Sequence, residues 1–221
     1  MLYSIFQTVW LEYGETDPGT GLKRSILMYI IVEDEYIARI PPEMLGDDYD
    51  NAIVRVARES LEGKLIDVFD ENNTDRPVGK CFVVSITEVK RHGDGAIVHG
   101  DGGVYQAVAY KALAFYPEMQ EIVEGYITSI TKLGAFIKFG PFEGLLHLSQ
   151  IMDDRIDIDL DNQRLIGKDT KKDLKAGDKV RVKIVNLNLN SSNVRDSRIG
   201  FTMKQMGLGK LQWLYKKKVE N

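Results

Sequence analysis

The stretch ITKLGAFIKFGPFEGLLHLSQI, residues 130–151, sets an aromatic ring, a cation and an imidazole at positions where an extended chain would turn them to water. In LGAFIKFG the two-residue period puts Phe136 and Lys138 on one face and Ala135, Ile137 and Phe139 on the other. In EGLLHLS, His147 alternates with Leu146 and Leu148. If the aliphatic side is core, Phe136, Lys138 and His147 form an exposed platform. Such a platform stacks unpaired bases at about 1–3 kcal/mol each, whatever their sequence, while nearby cations hold phosphates. A plainer reading stays open beside it, with Phe136 in the core and His147 an ordinary surface histidine.

Other chemistries find less support. Cys81 is the single cysteine, so the chain has no internal disulfide, which fits a reducing cytoplasm. His92, His99 and His147 lack cysteine pairs or a HExxH spacing, so no zinc site is expected. HGDG occurs at 92–95 and 99–102, but no GK[ST] follows; the pair reads as turns between antiparallel strands rather than a phosphate cradle. MDDRIDIDLD carries five carboxylates from Asp153 to Asp161, which read as a solvated face rather than a two-metal centre. No metal or other cofactor is implied, and no apolar run is long enough to span a membrane.

The net charge of −4 conceals a division. Residues 1–160 carry 14 Lys and Arg against 27 Asp and Glu; residues 161–221 carry 15 against 6. The balances of −13 and +9 suggest different surroundings for the two ends.

The elements that would hold the platform follow from periodicity. Residues 1–27 sustain no period, although Phe6, Trp10 and Tyr13 could make a small strand. MYIIVEDEYIARIPP reads as a strand ended by Pro41 and Pro42. DNAIVRVARESLEGK reads as a helix with Ile53, Val56, Ala57, Ser60 and Leu61 on one face, Asp48 or Asp50 as N-cap and Gly63 past its end. KCFVVSITEVK is a further strand, making 28–118 a small antiparallel α/β unit. Residues 119–205 hold five strand-like runs: EIVEGYITSIT, LGAFIKFG, EGLLHLS, DKVRVKIVNLNL and RIGFTMK. A loop at 150–176 follows the third. Five short strands in this arrangement suit an OB-fold barrel. The fold expected is α+β: an α/β domain followed by a five-stranded OB barrel. Residues 206–221 would add a docking segment (Leu208, Leu211, Trp213, Leu214) and a basic tail (Lys216, Lys217, Lys218).

EGYITSITKLGAFIKFGPFEGLLHLSQI, GDKVRVKIVNLN and RIGFTMK resemble, in that order, the RNA-binding OB domain named for ribosomal protein S-one. The flanking MYIIVEDEYIARIPPEMLG, LEGKLID, GDGAIVHGDGGVYQAVAYKALAFYPEMQEIVEG and GLGKLQWL look like the E-prime stalk family of archaeal RNA polymerase. The likeness covers about residues 28–215. It implies a non-catalytic stalk subunit of DNA-directed RNA polymerase, with a tip domain docking on the polymerase core through the segment of Arg39, Pro41 and Pro42. It implies a small stalk partner, the F polypeptide of that polymerase, and nascent single-stranded RNA on the OB domain. It also implies support of open-complex formation and elongation. Arg198 matches a position that often contacts RNA in S-one domains; Lys132 and Lys183 join the candidates by location.

Two departures from the family pattern stand out. Residues 1–27 precede Met28, the usual family start, and Leu133 occupies a site where S-one domains often carry an aromatic. The OB signature by itself equally suits an RNA-binding adaptor of an exosome-like ribonuclease or a translation factor. An enzymatic alternative, an RNA hydrolase using the Asp153–Asp161 carboxylates with a divalent metal, lacks a general-base partner.

Overall fold

The computed structural model describes residues 28–46, 48–70, 73–190 and 193–216. The expected extension at 1–27, with Phe6, Trp10 and Tyr13, lies outside them, as do Lys217 and Lys218. The chain divides into two units after Tyr116.

The first unit is an antiparallel sheet with one helix. Its strands are β1 (Tyr29–Ile40), β2 (Leu65–Asp70), β3 (Asn73–Arg91), β4 (Ala96–Ile97) and β5 (Val104–Phe115), with α1 (Tyr49–Leu61) between β1 and β2. The order is β1-β5-β3-β2, and β4 adds to β5. The expected strand over KCFVVSITEVK is the second half of a longer one. β3 begins at Asn73 and pairs back on β2, a hairpin that periodicity alone did not mark. α1 starts at Asp48, whose carboxylate accepts the N–H of Asn51, and Gly63 follows its end at φ 78°. The helix buries Ala52, Ile53, Val56, Ala57 and Leu61 against residues such as Ala38, Val83, Val108 and Ala112. Both HGDG segments are turns, the first leaving β3 and the second entering β5. Gln106 locks the first: its buried amide donates to the carbonyls of His92 and Gly93.

The second unit is the expected barrel. Its staves are β6 (Ile122–Thr131), β7 (Gly134–Phe139), β8 (Phe142–His147), β12 (Lys179–Asn188) and β13 (Arg198–Thr202). They run β13-β8-β7-β6-β12, and the pairing of β12 with β13 closes the ring. β8 and β13 are parallel, and the other staves are antiparallel. Val123, Ile127, Ile137, Phe139, Leu146, Val182, Ile184 and Phe201 fill the interior. The ring needs β13 close to β8 at Gly144, where an added Cβ would stand 2.5 Å from Phe201 and 2.7 Å from the carbonyl oxygen of Ile199.

The expected loop at 150–176 is instead largely a sheet of its own. β9 (Ile156–Asp159), β10 (Arg164–Gly167) and β11 (Asp173–Lys175) form an antiparallel meander in the order β11-β10-β9. These strands are three or four residues long, too short for a period to show, and they hold through fully buried Leu165 and Leu174. The chain ends with β14 (Gly209–Lys210), which pairs with β12, and α2 (Leu211–Lys216). The expected docking segment thus lies partly on its own barrel, with Leu208 buried and the ammonium of Lys172 5.4 Å from the Trp213 ring centre.

Candidate nucleic-acid interface

Strand alternation in β7 holds as expected. Ala135, Ile137 and Phe139 are buried, Lys138 is exposed, and Phe136 is half-buried on the outer face. Phe136 therefore belongs to the outside of the barrel, which excludes the plainer reading of it as core. Directly across the ladder stands Leu145 of β8; His147 is the register partner of Gly134, one step further along.

These residues border an open cleft of about 420 Å³ between β7, β8 and β13. Phe136, Leu145 and His147 line one side, and Val185, Asn186 and Arg198 the other. Val185 faces outward by alternation with buried Ile184, and the β12–β13 ladder skips a residue between Ile184 and Asn186, a bulge that leaves Asn186 exposed where regular alternation would have turned it inward. The β12–β13 connection is pinned by Asn193, whose side-chain oxygen accepts the N–H of Arg195, and by Ser197, whose hydroxyl accepts the N–H of Asn190. Among the described residues, Arg198 has no ion-pair partner.

The imidazole of His147 is oriented. Its Nδ1 accepts the N–H of Ser149 at 3.2 Å and lies 2.8 Å from the Ser149 hydroxyl. A backbone N–H can only donate, so Nδ1 carries no proton in the neutral ring and Nε2–H is the outward donor. The cleft thus offers a flat ring, aliphatic walls, the polar side chains of Gln150, Asn186 and Ser197, one imidazole N–H, one guanidinium, and the carboxylate of Glu143, which accepts the Thr128 hydroxyl. That set can stack a base, hydrogen-bond its edge or its sugar, and pair with a phosphate.

Of the six residues read from the sequence, Phe136, His147 and Arg198 come together in this cleft. Lys138 lies on the same outer face beside Phe136 but does not line the cleft, and Lys132 sits in the β6–β7 turn. Lys183 is on the outer face of β12, opposite Ile122. Leu145, Val185 and Asn186 were missed. The two-residue period already sets Leu145 on the face of His147, opposite buried Leu146, whereas the bulge that turns Asn186 outward has no signature in sequence. Leu133, in place of the family aromatic, is 62% exposed beside this site.

The carboxylate run is occupied with local structure. Asp154 accepts the N–H groups of Asp169 and Thr170 and the Thr170 hydroxyl, Asp159 accepts the backbone and side-chain N–H groups of Asn162, and Asp153 pairs with Lys204 at 2.5 Å. In the first unit, Arg39 forms a two-pronged ion pair with Asp101, which also takes the Tyr105 hydroxyl at 2.6 Å. Those bonds, Arg39 first, hold the Asp101 carboxyl well below its ordinary range. Pro41 is extended and Pro42 begins a single 3-10 turn through Met44. Among the described residues, no helix is long and apolar enough to cross a membrane.

Comparison with known proteins covers both units. Residues 35–102 match the SHS2 domain found in the N terminus of Rpb7p and Rpc25p, and residues 116–198 match the S1 RNA binding domain. The DNA-directed RNA polymerase subunit Rpo7 of Sulfolobus acidocaldarius is 34% identical over 187 residues, 85% of this chain and 95% of that protein. DNA-directed RNA polymerase II subunit RPB7 of Glycine max is 28% identical over 140 residues, 63% of this chain and 78% of that one. Ribonuclease R of Buchnera aphidicola shares 33% identity over 81 residues, 36% of this chain but 11% of its own length. The polymerase resemblance read from the sequence is therefore borne out along nearly the whole of both proteins. The chain belongs to the family of archaeal DNA-directed RNA polymerase subunit Rpo7.

Proposed function

We propose that this chain is the stalk subunit of a cytoplasmic DNA-directed RNA polymerase. It takes no catalytic part itself and holds emerging single-stranded RNA in the cleft of Phe136, His147 and Arg198. The observation that carries this reading is the pairing of an SHS2 unit of the Rpb7 type with an S1 unit in one chain, across 95% of an Rpo7 relative. An S1 unit alone would not distinguish it from a ribonuclease, and the ribonuclease R likeness stops at 81 residues.

In this reading Phe136 stacks a base, the Nε2–H of His147 bonds its edge or sugar, and Arg198 holds a phosphate. The segment of Arg39, Pro41 and Pro42 docks on the polymerase core. Because Arg39 is already committed to Asp101, its contribution is to stiffen the strand end that presents the prolines rather than to offer a free charge. A small stalk partner of the F type joins the chain, and the pair supports open-complex formation and elongation.

The test is native purification of the tagged full chain at moderate salt, followed by mass spectrometry of what remains bound. Recovery of the large polymerase subunits with one small partner is the expected result. Recovery of ribonuclease or ribosomal components in their place would overturn it.

A further inference from the structure

The cleft accounts for one flank of the barrel. A neighbouring face, on β6, β7 and β12, carries a second exposed aromatic that plays no part in it. Tyr126 on β6 is 56% exposed, an unusual position for a tyrosine on a stave whose alternate residues are core. Its register partners are Lys138 on β7 and Lys179 on β12. The Lys179 ammonium lies 6.0 Å from the Tyr126 ring centre. Further along the same rows stand Arg181, opposite Glu124, and Lys183, opposite Ile122, which is 57% exposed.

The charge on this face is uneven. Lys138, Lys179, Arg181 and Lys183 stand against Glu124 and Glu143. Glu124 is taken up by Lys179 at 3.0 Å and Arg181 at 2.8 Å, and Glu143, which stands opposite Lys138 and also borders the cleft, accepts the Thr128 hydroxyl. Lys138 and Lys183 have no ion-pair partner among the described residues. The result is an exposed ring between two lysines, with Lys183 unpaired further along, a composition that suits a phosphate backbone with unpaired bases. The exposed apolar side chains of these rows are Tyr126, Ile122 and, two residues beyond Lys183, Val185.

This face is continuous with the cleft. Lys138, the partner of Tyr126, is two residues from Phe136 on the same side of β7, and the β6–β7 ladder bulges by one residue between them, so that Phe136 stands opposite Ser129.

We propose that Tyr126, with Lys138, Lys179 and Lys183, is a second stacking station for single-stranded RNA, continuing the path that leaves the Phe136 cleft over the outside of β6 and β12. The proposal rests on the RNA-binding reading of that cleft. RNA long enough to cross Lys138 engages both rings, and shorter RNA engages the cleft alone.

The experiment is fluorescence anisotropy of the full chain with labelled oligouridylates of about 4 and about 12 nucleotides, within the span one OB unit can cover. Tyr126→Ala is expected to weaken the longer oligomer about 5- to 100-fold and leave the shorter one unchanged, while Phe136→Ala weakens both. Lys183→Ala is expected to lower the salt dependence for the longer oligomer only. Photo-crosslinking from 4-thiouridine should label the Tyr126 peptide with the longer oligomer and not the shorter. Loss for Phe136→Ala with no change for Tyr126→Ala would overturn this inference and leave the cleft standing. No change for either would remove the cleft reading as well. Lost recovery of a protein partner with unchanged RNA binding by Tyr126→Ala would overturn it in favour of protein docking. Tyr126 is on the surface, so circular dichroism of the variant should match the parent.

Discussion

The ammonium of Lys210 lies 2.7 Å from a carboxylate oxygen of Asp178, and both side chains are nearly closed off from solvent, at 5% and 7% exposure. Lys210 comes from β14 and Asp178 from the turn that enters β12, so this pair fastens the C-terminal segment to the barrel. Asp178 also accepts the N–H of Lys175, and Lys210 reaches the carbonyl of Asp173 at 3.5 Å.

Removing one partner leaves an uncompensated charge in a dry place. Lys210→Met is expected to cost about 3–5 kcal/mol in urea unfolding. The double change Lys210→Met with Asp178→Leu should recover a large part of that loss. An additive double variant would show that the two charges do not act as a pair.

Closure of the barrel depends on the missing side chain at Gly144. A methyl there would meet Phe201 and the Ile199 carbonyl, pushing β13 away from β8. Gly144→Ala should lose about 1–3 kcal/mol of stability. Because β13 carries Arg198, the same variant should also weaken RNA binding, and by more than Arg198→Ala alone. Chemical denaturation and anisotropy on the same preparation would check both.

In the cleft, Arg198→Ala should reduce the slope of log affinity against log salt by about 1, since one phosphate contact is removed. His147→Ala should instead change affinity through the loss of a hydrogen bond and of stacking area, with a smaller effect on the salt slope than Arg198→Ala. A titration series at several salt concentrations separates the two roles.

Asp154 predicts an acid-sensitive element. Bonds from the Thr170 N–H and hydroxyl lower its carboxyl from 3.8 to about 2. A carboxyl depressed in the fold stabilises it above the unfolded value, and that contribution is lost as pH falls from about 4 through about 2. The β9–β11 meander should therefore loosen in that window. Asp154→Asn should flatten this part of the pH–melting profile while lowering stability at neutral pH. An unchanged profile would show that the bonds do not form in solution.

Cys81 offers a reporter of unfolding. It is fully buried, and burial pushes its thiol up to about 12. Iodoacetamide should modify it only as fast as the first unit opens, with a rate that follows denaturant concentration. Rapid labelling in native buffer would contradict the burial.

Much of the architecture was legible because it rests on local rules. Alternation in GAFIKF assigned Phe136 outward and Ile137 inward, the helical face over Ile53–Leu61 emerged from its period, and the proline pair marked the end of β1. The meander at 156–175 was not legible. Its strands are too short to display a period, and they are defined by one another's backbone. The β2–β3 hairpin escaped for a related reason: β3 runs 19 residues through Pro77 and Gly79, two residues that ordinarily argue against a strand.

By itself, the sequence determined which residues face out where a stave alternates regularly, the order of the two units, and the family, since these follow from periodicity and from motif order along the chain. Tertiary structure alone decided what those residues do together. Closing β13 on β8 brings Arg198 to Phe136 across 62 positions of sequence, and a one-residue bulge turns Asn186 into the same cleft. Pairing of β6 with both β7 and β12 sets Lys138 and Lys179 on either side of Tyr126. Register between strands distant in the chain is set by the fit of two pleated surfaces and by the packing of their shared core, and neither quantity exists in any one segment read alone.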